Sequence, residues 1–411
     1  MAPHDLTARR ERVVRRWNLT REVVVIGAGG LVPIEGSGDQ TYPFLPHPEY
    51  RYLADDALAE AVLAFDPREG WSHFAPVPSQ AQRVWESAPE RNARPLTDLD
   101  GWLKQRAGRP IAQLGCELQG VRGTPDLRAA LRDALKEIRR RKDPAEIDRM
   151  RRAAAATAKG FAEVREFIRP GATERGIQIE LEAAFFRAGG ERAAYGTIVG
   201  SGPNAAILHS TPSARKVGER DLVLIDAGTE IDGYCADVTR TFVVTPEQRE
   251  LHAIVLEAER NAIARCLPGT QYREVHLLAS LDLARGLVHA GILRGSPQDL
   301  VERDAHALFF PHGIGHLVGL GVRDGDSAPP RTPNPRATLK YLRLDLPLEP
   351  GFTVTIEPGI YFIPALLDDP ALRERHAADV DWARVDRMHD FGGIRIEDNL
   401  LVTDGPPEVL T

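Results

Sequence analysis

Two aspartates, Asp226 and Asp237, flank an Asp232-Gly233 pair within a stretch of alternating residues. Leu222–Asp226 and Tyr234–Val244 read as strands joined through Glu230-Ile231-Asp232-Gly233, and an Asp-Gly pair between such runs is a strong hairpin signal. The midpoint of the two aspartates falls between Ile231 and Asp232. They should therefore face each other across an antiparallel pair, within one residue of register. Directly opposed residues have Cβ atoms about 4.5–5.5 Å apart. Two carboxylates that close repel, and a buried pair is costly unless a cation lies between them. The chain thus calls for an antiparallel sheet built around an acidic site.

Two further segments repeat the pattern. In Phe352–Glu357, Thr353, Thr355 and Glu357 share one face of a strand. In Gly393–Val402, Arg395 and Glu397 share a face opposite Ile394 and Ile396. Any one of these acids alone would be read as a solvated residue on an exposed sheet face. Four in such positions, with the phrase His-Gly-Ile-Gly-His at 312–316, weaken that reading greatly. The candidate metal ligands are Asp226, Asp237, His316, Glu357 and Glu397.

Hard carboxylate oxygens with one imidazole suit Mn(II), Co(II), Zn(II) or Fe(II). Two such ions balance four carboxylates, bring a bridging water toward hydroxide near neutral pH and clamp a reacting centre from about 3.5–4 Å apart. That chemistry hydrolyses an amide or ester-like bond without a protein nucleophile, and no G-x-S-x-G elbow is present to suggest one. His209, His312 and Arg395 are second-tier candidates. The spacing of His312 and His316 would put both on one helix face, but Gly313 and Gly315 favour a loop or tight strand. A lone histidine is more often a structural hydrogen-bonding residue than a catalytic one.

At 411 residues the chain is too long for one ordinary core, so two domains are expected. The first 140 residues read as an α/β domain, with a buried strand at Val23–Ile26 and helical composition over Ala57–Phe65. Gly27-Ala28-Gly29-Gly30 lacks the spacing of a nucleotide loop, and Pro33 interrupts any helix there, so a plain turn is expected. A basic helix is expected over Asp126–Arg141. Asp143, Pro144 and Glu146 then form the start of a capping box, opening a helix to about Phe167 that Pro170-Gly171 ends. The boundary is set near residue 141, giving domains 1–140 and 141–411. No solenoid repeat is visible.

The net charge of −7 gives no basic footprint for nucleic acid and argues against anionic membranes. No apolar run approaches the ~20 residues that span a bilayer. The N-terminus lacks the apolar core of a secretory signal. Three dispersed cysteines, Cys116, Cys235 and Cys266, suit a reducing cytoplasm better than a disulfide framework.

Taken together, the phrases Ile-Asp-Ala-Gly (225–228), Ala-Asp-Val-Thr-Arg-Thr-Phe (236–242), His-Gly-Ile-Gly-His (312–316), Ile-Glu-Pro-Gly (356–359) and Arg-Ile-Glu-Asp-Asn (395–399) resemble the pita-bread metallopeptidases. These comprise prolidase, aminopeptidase P, methionine aminopeptidase and the metal-free creatinase. Gly38–Phe44 and Tyr50–Leu53 are similar to the smaller creatinase-type N-terminal domain, which methionine aminopeptidases normally lack. The resemblance implies an α+β fold: a C-terminal pita-bread catalytic domain preceded by an N-terminal α/β creatinase-type domain.

It also implies roles. Asp226 would bind one metal, His316 and Glu357 the other, and Asp237 and Glu397 would bridge them. Glu357 would transfer the proton of the bridging water. His209 and His312 would act on the substrate carbonyl. Arg395 would orient the site near Asp237 and Glu397 or meet a substrate carboxylate. Manganese is the first expectation for the two ions, with cobalt or zinc as alternatives, and a homodimer is implied.

The stretches Tyr341-Leu342-Arg343, Leu348-Glu349-Pro350-Gly351 and Glu357–Ile363, and the long insert before Phe391, look like prolidases. They favour an Xaa-Pro dipeptidase acting on proline-containing dipeptides, with Tyr361 as a substrate residue. The alternatives are an aminopeptidase P acting on longer peptides and a non-catalytic binding protein on the same fold. The sequence departs from the family at Gly321-Val322-Arg323-Asp324, where Asp-Val-His-Asp is usual. Arg323 stands in place of a histidine. It is either a fork for the free carboxylate of a dipeptide or a solvated loop residue beside Pro329-Pro330.

Overall fold

The computed structural model describes residues 3–85, 92–325 and 336–411. Pro329 and Pro330 lie outside them. The chain divides into two compact units, Met1–Arg139 and Arg140–Thr411.

The first unit is built on a five-stranded mixed sheet. Its strands are β1 (Val23–Gly27), β2 (Val62–Asp66), β3 (Gly70–Ala75), β4 (Arg94–Pro95) and β5 (Ile111–Gly115), in the order β4-β3-β2-β1-β5. β5 lies parallel to β1, and β2 antiparallel to it. Val23, Val25, Val62, Ala64 and Phe74 meet Trp102 in the core. The helix expected over Ala57–Phe65 is not formed. Val62–Asp66 is a fully buried strand instead, because a seat between β1 and β3 outweighs the weak helical preference of its alanines and leucines. Gly27 ends β1, and residues 28–30 continue as irregular chain with no helix directly behind them.

In the second unit the helix Pro144–Val164 opens on the expected capping box. Asp143 accepts from Glu146 N at 3.0 Å, and Glu146 accepts from Asp143 N at 2.9 Å. A 3-10 turn, Arg165–Phe167, closes it. Several small antiparallel sheets follow. β6 (Arg192–Ala193), β9 (Thr229–Ile231) and β10 (Tyr234–Cys235) form one, and β7 (Ile198–Ser201), β8 (Val223–Ala227) and β11 (Val238–Phe242) another. β12 (Thr353–Ile356), β15 (Asp398–Leu401) and β16 (Glu408–Val409) form a third, and β13 (Gly359–Tyr361) pairs with β14 (Gly393–Arg395). A bridge between Thr239 and Glu397 ties β11 to the break between β14 and β15.

The hairpin signal is realised by Asp232 and Gly233, with φ of 53° and 86°, as a two-residue turn of the I′ type. This moves the register by one step from the expected midpoint. Asp226 pairs with Thr239 rather than with Asp237. The two aspartates stay on one face as diagonal neighbours, still within side-chain reach.

Helices Pro246–Ala264 and Tyr272–His289 cover the other face of the β12–β15 and β13–β14 sheets, while Pro144–Val164 and Glu174–Arg187 pack on Val199, Val223, Ile225 and Val238 of the β7–β8–β11 sheet. Val255, Ala258, Val275, Ala279 and Leu283 pack on Val354, Ile356, Ile360, Ile394 and Leu400 in one core. The period of two along each strand thus sends aliphatic residues to the helices and acids to the opposite face. Among the described residues no helix is long and apolar enough to cross a membrane.

Candidate functional site

The face turned away from the helices lines a cavity of about 800 Å³. Asp226, Asp237, His316, Glu357 and Glu397 all border it, as do His209, His312, Arg323 and Arg395. β8 supplies Asp226, the run into β11 supplies Asp237, and Glu357 and Glu397 sit just past β12 and β14. His316 comes from the extended 312–316 segment, which is not a helix. Its amide donates to Thr355 Oγ1 at 3.1 Å, and Glu357 N donates to Ile314 O at 2.8 Å, so the segment runs beside β12.

The acids are held tightly. Asp237 N donates to Asn399 Oδ1 at 2.9 Å, and Asn399 Nδ2 donates to Asp237 O at 2.7 Å. Thr239 Oγ1 donates to Glu397 Oε2 at 2.7 Å and accepts from Arg395 Nε at 3.0 Å. The Tyr195 hydroxyl faces Asp226 Oδ1 at 2.7 Å and Asp237 Oδ1 at 2.5 Å. His316 donates from Nδ1 to Leu317 O at 3.0 Å, which turns Nε2 toward Asp237 Oδ2 at 3.4 Å and Glu357 Oε1 at 4.0 Å. Second partners of this kind fix the tautomer and direction of a ligand.

Burial pushes Asp226 above its ordinary value against the pull of Arg395, with Asp237 adding to the push. Burial, then the neighbouring acids, push Glu397 well above its own. Glu357 is pushed up to about 7, again by burial first. Burial opposes a charged His316, yet Asp237 and Glu357 outweigh it and raise the imidazole. Arg395 alone cannot balance four carboxylates. Asp237, His316 and Glu397 each offer a ligand atom within 4.8 Å of one another. A buried, oxygen-rich, charge-deficient cluster of this kind fits divalent cations.

Not every expected residue reaches the cavity in the same way. Arg395 gives its guanidinium to Asp226 Oδ2 at 2.5 Å, Tyr361 OH at 2.8 Å and Thr239, so it is engaged with Asp226 rather than Asp237 or Glu397. Tyr361 is wholly buried and sits behind the cavity wall. Its hydroxyl accepts from Arg395 and donates to His312 Nε2 at 2.9 Å, while His312 Nδ1 donates to Gly313 O at 2.9 Å. Burial and Arg395 lower His312 to about 3, so the imidazole is neutral. His209 is exposed on the wall. Arg323 is exposed beside Val322, with Arg175 and Arg343 also on the lining.

Tyr195 and Thr239 were not foreseen. Thr239 was accessible, because alternation from Asp237 puts it on the same face. Tyr195 precedes β7 in a segment with no periodic signal.

A profile of metallopeptidase family M24 matches residues 148–404. The chain is 33% identical to an Xaa-Pro dipeptidase of Stenotrophomonas maltophilia, over 99% of this chain and 94% of the relative. It is 30% identical to a probable Xaa-Pro aminopeptidase of Tuber melanosporum, over 91% of this chain and 86% of the relative. Among solved structures, aminopeptidase PepP of Pseudomonas aeruginosa superposes with a TM-score of 0.81 at 27% identity, over 100% of this chain and 95% of the other. Zinc-substituted E. coli aminopeptidase P in complex with product also gives 0.81, at 28% identity over the same shares. The fold is therefore the mixed helix-and-sheet pita-bread arrangement with an N-terminal domain, and the chain belongs to metallopeptidase family M24.

Proposed function

We propose that this protein is an Xaa-Pro dipeptidase that uses two divalent cations, manganese foremost, to hydrolyse proline-containing dipeptides. The observation that carries the reading is the mixed charge of one cavity. Four carboxylates and His316 border it, and Arg175, Arg323 and Arg343 border it too. A short zwitterionic peptide matches such a lining, its carboxylate meeting the arginines. The prolidase-like relatives at about one-third identity support the same substrate class.

In this reading Asp226, Asp237, His316, Glu357 and Glu397 would together hold the two ions. Held there, the ions would supply a water activated for attack on an amide carbonyl. Glu357 takes and returns the proton of that water. Neutral His312, oriented by Tyr361, and His209 hydrogen-bond the substrate. Arg395 keeps Asp226 oriented, and Tyr361 acts on the substrate only by orienting His312. Residues 1–140 form the creatinase-type domain, and the protein works in the cytoplasm as a homodimer.

The test is chelation followed by Mn(II), Co(II) or Zn(II) add-back, assayed with Ala-Pro and Ala-Pro-Ala. Absence of Ala-Pro cleavage with every metal, or full activity in Asp237→Asn with unchanged metal content, defeats the assignment. A second reading, an aminopeptidase releasing the first residue of longer Xaa-Pro peptides, is favoured by the superposition on solved aminopeptidases. Exclusive cleavage of Ala-Pro-Ala would select it.

A further inference from the structure

The loop 317–325 reaches the cavity with only two residues, Val322 and Arg323. The rest of the loop is fastened elsewhere. Val318 N donates to Thr353 O at 3.1 Å, Cys235 N to Gly319 O at 2.9 Å, and Gly321 N to Gly233 O at 3.2 Å in the hairpin turn. Asp324 N reaches back to Leu317 O at 3.3 Å. Behind these contacts lies Lys142, just before the helix Pro144–Val164. Its ammonium stands 3.1 Å from Asp324 Oδ2, with both side chains at 0% exposure. The same oxygen accepts from Leu320 N at 2.9 Å. Position 319 has no space for a side chain, since a Cβ there would lie 2.4 Å from Lys142 Cε and 2.5 Å from Asp324 Oδ2.

A buried ion pair adds little net stability, because desolvating two charges offsets their attraction. Such a pair is better suited to fixing register. Here it fixes the residue adjoining Arg323, whose own guanidinium makes no ion pair with any described residue. Holding the backbone beneath a long exposed side chain removes part of the ordering cost that ligand binding would otherwise carry. The only carboxylates on the cavity lining among the described residues are the four of the acidic cluster, so nothing there competes for Arg323.

We propose that the buried Lys142–Asp324 pair is a positioning element for substrate selection, fixing loop 317–325 so that Arg323 meets the carboxylate at the C-terminal end of a short peptide. This rests on the dipeptidase reading and deepens it. Arg323 is the specificity-determining residue, and Asp324 and Lys142 act through it.

The test uses full-length, manganese-loaded protein with Ala-Pro and its C-terminal amide. Wild type is expected to favour Ala-Pro by at least about tenfold in KM, the scale of a charge-assisted contact. In Arg323→Gln that preference collapses to within about threefold. Asp324→Asn shrinks the preference in the same direction, and adding it to Arg323→Gln changes the preference no further, as coupling through one group requires. The double replacement Lys142→Met/Asp324→Leu, which keeps the volume apolar, must also shrink the preference; it serves if Asp324→Asn does not fold. The inference is overturned if Asp324→Asn leaves the preference intact, depresses both substrates equally, or adds in full to Arg323→Gln. A wild type that cleaves both substrates equally well overturns it while the hydrolase reading stands. A wild type inert toward both, and toward Ala-Pro-Ala, with every cation overturns the two together.

Discussion

Arg395 Nη2 stands 2.5 Å from Asp226 Oδ2, and both side chains are largely buried. Arg395 is the cation of the protein most directly committed to the acidic cluster. Arg395→Met removes it and leaves Asp226 unpaired beside its neighbours. Breaking a buried pair from one side costs roughly 3–5 kcal/mol. Urea unfolding of the metal-free protein at pH 7.5 should show a loss on that scale, and Mn(II) should restore much of it. An equal loss with and without metal would contradict this account.

Burial raises Glu357 from 4.5 to about 7, and Asp226 and Glu397 move in the same direction. Between about 4.5 and 7 the folded metal-free protein keeps a proton on Glu357 that the unfolded chain has released. Stability from this group is therefore full below 4.5 and declines as pH rises through 7. Metal binding displaces such protons, so the rise in Tm on adding Mn(II) should be larger at pH 8 than at pH 5.5. Paired thermal melts at the two pH values check this, and a pH-independent rise would refute it.

Tyr195 presents its hydroxyl to Asp226 and Asp237 together. Tyr195→Phe keeps the ring and deletes this shared partner. Loss of an outer partner of a metal ligand typically costs 10–100-fold in affinity or activity. Titration of metal-free Tyr195→Phe with Mn(II) should show weakening in that range. Unchanged affinity would mean that the hydroxyl does not orient these acids.

Tyr361 joins Arg395 to His312 from behind the cavity wall. In Tyr361→Phe the neutral His312 loses the donor to its Nε2. Its effect should fall on kcat for Ala-Pro, by about 10–100-fold, with metal content and KM little altered. A change confined to KM would show direct contact with substrate instead.

Much of the site was legible because a strand has a period of two. Glu357 and Glu397 lie opposite Ile356 and Ile396, so alternation alone sends the acids to one face and the aliphatic residues to the helices. Asp232-Gly233 disclosed the hairpin, but the I′ turn centres one step later than the midpoint of the aspartates, and Asp226 came to pair with Thr239. The strand Val62–Asp66 was hidden because its residues suit a helix almost as well, and only its neighbours β1 and β3 decide. Tyr361 reads as a substrate residue in sequence because it lies in the prolidase-like stretch Glu357–Ile363. Its place behind the wall depends on Arg395, 34 residues away, and no local pattern encodes that.

Asp226 and Arg395 are 169 residues apart along the chain. No short segment can gather the ligand set, so a metal ion cannot nucleate this domain as zinc nucleates a small finger. The sheets must first close a long loop around acids that repel one another. A proton acts as a placeholder during that interval: Glu357, pushed up to about 7 by burial, holds one near neutrality until cations arrive. Maturation then becomes an exchange of protons for metal within a finished scaffold, and mildly acidic conditions are the natural medium for isolating the empty enzyme intact.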